Sequence, residues 1–236
     1  MTVTEIELVL DKKNISDQLD AHGFALTKPL LSSSQCRQLA ALYEDPTVSF
    51  RSRVDMTRYN FGRGEYKYFD YPLPSFVESL RKLLYPSLAA IANEWNMRWG
   101  MPATWPNSHA KLLAACHEHG QMRPTPLLLK YGVGDYNCLH QDLYGDIHFP
   151  LQVILQLSVP GVDFEGGDLV LVEQRPRMQS RPSVISPKQG QAIIVPVKDR
   201  PYNGKKGWSR TQIRHGVSTV SRGTRQTLGV IFHDAT

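Results

Sequence analysis

The chain has 236 residues, 41% of them hydrophobic and 21% charged, which is typical of a globular protein. No apolar run approaches the roughly 18 residues of a membrane span, and the N-terminal residues lack the apolar core of a signal peptide. A net charge of +5 permits a polyanionic partner but does not require one. The three cysteines, Cys36, Cys116 and Cys138, form no Cys-x-x-Cys pair, so we expect a reducing, cytoplasmic location and no disulfide framework.

The N-terminal part, residues 1–124, is expected to be mainly helical. Ser32–Ser34 offers an N-cap to one helix. Ser75–Glu78 matches a capping box before an apolar run, and Pro86 predicts a break in the helix that follows. A further helix is predicted near His109–His119. These helices are expected to back a sheet.

Residues 49–74 differ from the rest of this part because cations alternate with aromatic residues. Between Phe50 and Tyr68 the cations outnumber the acids (Arg51, Arg53, Arg58, Arg63 and Lys67 against Asp55 and Glu65). Gly62 and Gly64 predict irregular structure in the middle. Aromatic faces stack on bases and cations pair with phosphates, so residues 50–71 are a candidate lid for single-stranded or damaged DNA or RNA, with salt-sensitive binding. The alternative is a long loop whose tyrosines cover the edge of the core.

From Pro126 onward the pattern changes to short runs rich in β-branched residues, separated by Gly, Pro and Asp. The predicted strands read LLLKYG, HFPLQVILQLSV, GDLVLVE, QAIIVPV, IRHGVSTV and QTLGVIFH. Such a series favours a sandwich or barrel. The fold class is therefore α+β and mainly β, with residues 125–236 as the β core of a single domain spanning 1–236.

Two histidines and one carboxylate are the candidate metal ligands. His140 and Asp142 form a His-x-Asp pair at the end of a predicted strand, where side chains two apart share a face. His215 lies on a remote strand that a closed double sheet can bring beside them. This ligand set favours Fe(II) and leaves three positions open for a cosubstrate and oxygen. Neutral histidines and an ionised carboxylate leave a net positive charge on the ion, which attracts a chelating 2-oxo acid.

A chelating 2-oxo acid with a second carboxylate needs a cationic partner in the pocket. Arg225, ten positions after His215, is the candidate, because a guanidinium gives a carboxylate two parallel hydrogen bonds. Arg222 is the rival, but its Ser-Arg-Gly context is typical of a turn. Tyr131, nine positions before His140, is a candidate donor to the same carboxylate, and a plain core tyrosine is the alternative.

With these residues in place, the C-terminal half resembles the 2-oxoglutarate/Fe(II) dioxygenase superfamily over roughly residues 125–235. The matching segments are KYGVGDYNCLHQD, FEGGDL, QAIIVPV and RHGVSTVSRGTR. The resemblance implies a double-stranded β-helix (jelly-roll) core. It also implies Fe(II) on His140, Asp142 and His215, 2-oxoglutarate on Arg225, and O2 as the oxidant.

Two branches of that superfamily compete. Tyr131 to Asp142 resembles the AlkB-type nucleic-acid dealkylases, and the whole chain is similar to bacterial nucleic-acid oxygenases linked to oxidative demethylation of damaged DNA. The chain departs from the AlkB-type pattern at Leu129, where Asn is expected, and has no arginine pair beyond Arg225. Its Gly-Gly-Asp motif resembles prolyl hydroxylases instead.

We therefore expect oxidative demethylation of alkylated nucleic acid, as in DNA repair. A prolyl, protein or small-molecule hydroxylase is the alternative within the superfamily. A third interpretation is a cupin-like jelly roll that binds a ligand without redox chemistry. It predicts that 2-oxoglutarate is not consumed under any condition.

Overall fold

The computed structural model describes residues 10–205 and 207–236. Within these residues four α-helices are found: α1 (Lys12–His22), α2 (Ser33–Ala41), α3 (Ser75–Arg98) and α4 (His109–Glu118). None of them combines the length and the apolar character that crossing a membrane would require. A short 3₁₀ turn spans Met56–Tyr59.

The strands of the described chain begin before the predicted β core. Four lie in the N-terminal part: β1 (Ala25–Pro29), β2 (Phe50–Asp55), β3 (Gly62–Arg63) and β4 (Glu65–Phe69). The others are β5 (Leu127–Tyr131), β6 (Tyr136–His140), β7 (Leu151–Gln156), β8 (Phe164–Gly166), β9 (Leu169–Gln174), β10 (Arg181–Ile185), β11 (Gln191–Pro196), β12 (Asp199–Gly204), β13 (Gly207–Val217), β14 (Val220–Gly223) and β15 (Arg225–Val230).

Two antiparallel sheets form the core. The larger has seven strands in the order β1-β11-β7-β15-β5-β4-β2. The smaller has six, in the order β10-β9-β13-β6-β3, with β12 paired to β13. Strands β8 and β14 form a separate antiparallel pair. The arrangement confirms the predicted fold class, a jelly-roll core backed by helices.

The central strands β7, β11 and β15 of the larger sheet are buried on both faces, and this explains their continuous apolar sequences. On one face Leu151, Val153 and Leu155 of β7 belong to the same cluster as the apolar side of α3. On the other face Ile193 and Val195 of β11 pack with residues of the smaller sheet. The helices therefore cover the outer face of the larger sheet, and its inner face meets the smaller sheet.

The helix boundaries agree with the sequence at α2 and α4 and differ at α3. Ser32 caps α2 through a capping box with Gln35, as predicted. Ser75, however, is the first helical residue of α3 and not its cap, which is Pro74 without a side-chain hydrogen bond. The predicted break at Pro86 was wrong, because α3 runs through it. Packing of the buried face of α3 against the larger sheet outweighs the lost backbone bond.

The predicted irregular structure around Gly62 and Gly64 was also wrong. β4 pairs with β5 and extends the larger sheet, while β3 pairs with β6 in the smaller one. Gly62 has φ 135°, and a Cβ there would lie 2.4 Å from the carbonyl oxygen of Tyr136. The glycine therefore marks a close approach between strands.

A buried histidine opens α4. His109 Nε2 lies 2.8 Å from the carbonyl oxygen of Phe232, and its ring packs against Tyr85. Burial, reinforced by the nearby Arg81 cation, lowers the pKa of His109 to about 3. The residue is therefore neutral in the fold and donates to Phe232.

We predict that His109 makes the fold sensitive to acid. Between pH 6.5 and pH 3 the unfolded chain binds a proton at this position and the folded chain does not, so stability falls as pH falls. The loss is up to about 1.4 kcal/mol per pH unit and is absent above pH 6.5. Urea unfolding of chelator-treated protein at pH 7.5 and 4.5 measures it. His109→Gln, which keeps a donor for Phe232, should lose about 2 to 3 kcal/mol less over that interval. An equal loss in both proteins would contradict the prediction.

Candidate active site

Antiparallel pairing brings the three predicted metal ligands together. His140 ends β6, and its Cα partner across the sheet is His215 of β13. Asp142 lies just past the end of β6 and is buried. Its Oδ2 is 3.3 Å from His215 Nε2, and its Oδ1 is 3.5 Å from His140 Nε2. The three candidate ligand atoms all lie within 4.8 Å of one another.

Hydrogen bonding and charge prepare these groups for a cation. His140 Nδ1 lies 2.8 Å from the Cys138 carbonyl oxygen and donates to it, which leaves the Nε2 lone pair free. Burial alone would raise the pKa of Asp142, but His140 and then His215 hold it well below its usual value. Burial and the neighbouring His140 lower the pKa of His215. An anionic carboxylate beside imidazole nitrogens therefore fits a divalent ion.

The candidate metal ligands lie in the wall of a cavity of about 320 Å³ between the two sheets. Apolar and aromatic side chains provide most of its surface, and polar side chains are set among them. Residues from both sheets contribute: Tyr66, Tyr68, Leu127, Leu129, Tyr131, Gln152, Ile154, Leu169, Val217, Arg225 and Thr227. Such a cavity holds a small ligand and keeps bulk water away from it.

Arg225 supplies a buried positive charge to this cavity. It is 1% exposed and is the Cα partner of Tyr131 across the β15–β5 pair. Within the described chain no hydrogen bond or ion pair engages its guanidinium, whose centre lies 5.6 Å from the Tyr131 ring centroid. Burial lowers the pKa of Arg225, while Tyr131 and Asp168 counteract this. A buried cation without a paired acid is costly, so an anionic ligand fits here.

Tyr131 and Arg222, the two other candidates for a carboxylate partner, lie in different places. Tyr131 is fully buried and its hydroxyl accepts from Asn137 Nδ2 at 3.3 Å, so its own proton remains available to a ligand. The rival Arg222 is exposed and does not line the cavity. It binds Glu165 at 2.8 Å and the Gly161 carbonyl oxygen at 3.1 Å.

Several cavity residues were not singled out from the sequence. Gln152 Nε2 lies 3.3 Å from His215 Nε2, and Gln152 is one of two glutamines in an otherwise apolar strand. Thr227 follows Arg225 by two positions and faces the same side of β15. Alternation along the strand from the candidate Arg225 was the signal that could have identified Thr227.

The Gly-Gly-Asp motif shapes the space around Arg225. Gly166 and Gly167 both have positive φ, at 69° and 63°. A Cβ on Gly167 would lie 2.9 Å from Arg225 Cδ and 2.8 Å from Val220 Cγ2. The absence of a side chain at Gly167 therefore allows the guanidinium to take its position.

The sequence profile of the Oxygenase-NA family matches residues 64–235, which include every residue of the site described above. The family is described as an oxygenase catalysing oxidative methylation of damaged DNA. The chain belongs to this family.

Two proteins of Mycobacterium tuberculosis, from strains CDC 1551 / Oshkosh and ATCC 25618 / H37Rv, are similar to this chain and are named as uncharacterized. Each is 48% identical over 167 residues, 71% of this chain and 72% of the relative.

Solved structures share the fold of this Oxygenase-NA protein. A prolyl-4-hydroxylase of Pseudomonas putida superposes with a TM-score of 0.55 at 14% identity, over 95% of this chain and 100% of that chain. A prolyl hydroxylase of Trichoplax adhaerens, in complex with a hypoxia inducible factor oxygen degradation domain peptide fragment, gives 0.53 at 18% identity. That match covers 98% of this chain and 92% of the other. At these identities the likeness establishes the jelly-roll fold alone.

Family, fold and the His–Asp–His cluster together identify an enzyme, an Fe(II)- and 2-oxoglutarate-dependent oxygenase. Its cofactors are Fe(II), 2-oxoglutarate and O2, and the residues present fit them. The anionic Asp142 and the two imidazoles suit the ion, and the unpaired Arg225 suits a carboxylate.

We predict that Gly167→Ala weakens 2-oxoglutarate binding, because the new Cβ displaces Arg225 or forces strain on the loop. The dissociation constant, measured by calorimetry on the Ni(II)-loaded protein, should rise about tenfold or more. Ni(II) affinity should stay within about twofold.

Gly100→Ala is the matched control for this change. It also has positive φ, at 72°, but a Cβ there meets nothing within 4 Å. It therefore carries the same backbone strain without touching the pocket. Equal 2-oxoglutarate affinity in the two variants would show that Gly167 does not position Arg225.

Proposed function

We propose that this oxygenase removes methyl groups oxidatively from damaged nucleic acid. His140, Asp142 and His215 would hold Fe(II), and Arg225 and Tyr131 would anchor 2-oxoglutarate. The observation that supports the substrate class is the family match across residues 64–235. The observation that supports the residue roles is the buried Arg225, unpaired among the described residues, in the same cavity as the ligand cluster.

In this proposal, separate groups of residues bind the metal, orient the cosubstrate and exclude water. The His–Asp–His cluster holds the ion, and the guanidinium of Arg225 fixes the orientation of the cosubstrate with Tyr131 as a second donor. The apolar cavity wall excludes water from the reacting carbon. When bound, Fe(II) and 2-oxoglutarate activate O2 for oxidation of a C–H bond, with succinate and CO2 as products.

An oxidised N-methyl group leaves by itself. Insertion of one oxygen atom into a C–H bond of N–CH3 gives N–CH2OH. The C–N bond then breaks, the nitrogen takes the hydroxyl proton, and formaldehyde departs. The base is restored without a further co-reactant. Oxidation of a methyl group on nitrogen therefore removes it, and repair is the chemical outcome.

The rim of the cavity suits an unstacked base. Asn60 and Phe61 line the cavity, and Phe61 stacks on Tyr59 with centroids 5.5 Å apart. Both rings are exposed, Tyr59 by 58% and Phe61 by 47%. An exposed aromatic pair offers a base a stacking surface. A methylated base must leave its duplex stack to reach the interior, so single strands or flipped bases would be preferred.

The cations of residues 50–71 contribute less than their number suggests, because each one contacts a neighbour. Their partners are the Pro124 carbonyl oxygen for Arg51, Glu65 for Arg53, Asp55 for Arg58, Asp135 for Arg63 and the Tyr43 carbonyl oxygen for Lys67. Phosphates would compete with these contacts. Salt dependence should accordingly be weaker than the sequence predicts, and stacking more important.

The proposal extends to the domain organisation and the cellular location of the enzyme. We infer one catalytic domain over residues 1–236, since β1 to β4 join the two sheets that the later strands build. We also infer a cytoplasmic, reducing location, because Cys36, Cys116 and Cys138 are all unpaired.

The alternative of a prolyl, protein or small-molecule hydroxylase is supported by the Gly-Gly-Asp motif beside Arg225.

The test is a paired product assay with Fe(II), ascorbate and 2-oxoglutarate on N-methylated single-stranded DNA. We expect succinate and formaldehyde to rise together and only with substrate. Asp142→Ala should abolish both while the protein stays folded by circular dichroism, because the ion loses its anionic ligand. Succinate formed with a peptide or small molecule, without formaldehyde from DNA, would favour the hydroxylase. Full turnover in Asp142→Ala would refute the ligand set.

We further predict that Tyr59→Ser/Phe61→Ser weakens binding of single-stranded DNA by about tenfold, since base stacking on an aromatic ring contributes about 1–3 kcal/mol. Fluorescence anisotropy of a labelled oligonucleotide measures this. Met122→Ser is the control, because Met122 is equally exposed, at 61%, and lines no part of the catalytic cavity. The same loss in both proteins would remove the assigned role of the aromatic pair.

A further inference from the structure

A chain of two hydrogen bonds ends on the Asp142 carboxylate. Tyr144 donates from its hydroxyl to Asp142 Oδ1 at 2.7 Å. Tyr68 in turn donates to the Tyr144 hydroxyl at 2.8 Å. Tyr144 follows Asp142 by two positions in the same loop, whereas Tyr68 comes from β4 of the larger sheet. These two hydrogen bonds therefore connect the two sheets at the candidate metal centre.

Packing holds Tyr68 in place. The side chain is 7% exposed, and its ring meets the Tyr144 ring edge-on with centroids 6.1 Å apart. The Arg51 guanidinium lies over the face of the Tyr68 ring, 4.2 Å from its centroid. Arg51 is itself fixed by a 2.7 Å hydrogen bond from Nε to the Pro124 carbonyl oxygen. A hydroxyl held in this way is a directed donor and not a mobile one.

The hydrogen bond from Tyr144 restricts the rotation of the Asp142 carboxylate. With Oδ1 bound to Tyr144, its other oxygen, Oδ2, lies 3.3 Å from His215 Nε2. The carboxylate can turn about its Cβ–Cγ bond only by breaking the hydrogen bond to Tyr144. Hydrogen-bonded partners of this kind orient ligating carboxylates, and their loss typically lowers metal affinity about 10- to 100-fold.

We propose that Tyr144 and Tyr68 are positioning residues that set the orientation of the Asp142 carboxylate, with Tyr68 acting through Tyr144. The inference rests on the proposed ligand set of His140, Asp142 and His215. Tyr68 also lines the cavity, so a ligand that moves its ring alters the hydrogen bond on the metal's carboxylate. The wall that contacts substrate is thus linked to the metal ligand.

Titration of the apo-protein with Co(II), followed by visible absorption, tests this without any substrate. Tyr144→Phe deletes only the hydroxyl and should bind Co(II) about tenfold or more weakly, with an altered spectrum. Tyr68→Phe leaves the bond from Tyr144 to Asp142 and should lose about threefold. Because Tyr68 acts through Tyr144, the double variant should bind no more weakly than Tyr144→Phe alone, within about twofold.

Tyr43→Phe is the matched control. It deletes another tyrosine hydroxyl that donates to a carboxylate, Glu65 Oε1 at 2.5 Å, away from the cavity. It should keep wild-type Co(II) affinity and spectrum even where its melting temperature falls. Affinity lost equally in Tyr43→Phe and Tyr144→Phe would mean that general destabilisation, and not carboxylate orientation, is being measured.

The outcomes separate the inference from the proposed function. Wild-type affinity and spectrum in Tyr144→Phe overturn the positioning role, and additive losses in the double variant overturn the route through Tyr144. If Tyr144→Phe does not fold, unchanged affinity in Tyr68→Phe overturns the inference by itself. Equal Co(II) binding by wild type and His140→Ala would instead refute the ligand set on which it rests.

Discussion

The antiparallel pairing of β13 with β6 is the constraint on which the site depends. It sets His215 directly across from His140, although the two are far apart in sequence. The antiparallel pairing of β15 with β5 likewise sets Arg225 opposite Tyr131. Since register decides which face a side chain takes, a slip by one residue in either pair would turn these groups out of the cavity. The chemistry is therefore encoded in strand register as much as in residue type.

The cavity gathers charges that the fold alone would not favour. Arg225 is buried without an acidic partner in the described chain, and Asp142 stays anionic in a buried position. A stability-driven core would fill these positions with apolar side chains. The enzyme tolerates the cost because the rest of the core is extensively packed, with the central strands of the larger sheet buried on both faces. Binding of a cation and a dianionic cosubstrate offsets it further.

The parts of this structure that the sequence predicted well are those with a local pattern. A sandwich or barrel followed from the short β-branched runs, and the resemblance to the superfamily implied the jelly roll. The meeting of His140, Asp142 and His215 followed from a metal-ligand combination of residues. The misses have a different cause. Gly62 was interpreted as a breaker, but it permits contact with a strand remote in sequence. Pro86 was interpreted as a helix end, but tertiary packing carries α3 through it. The ion pairs of Arg53 with Glu65 and of Arg63 with Asp135 likewise depend on β2 pairing with β4 and on β3 pairing with β6, which no local pattern shows.

The segment predicted as a lid is hydrogen-bonded to both sheets, and this affects how a substrate binds. β4 is bonded to β5 on one side, and β3 is bonded to β6 on the other. A wall fixed in this way is preorganised, so little conformational entropy is lost by the protein when a ligand docks. Under the proposed function, the deformation needed for binding would fall on the nucleic acid, which would have to bring its methylated base out of the stack. Discrimination then begins with how easily a candidate substrate distorts, before any polar group of the cavity is reached.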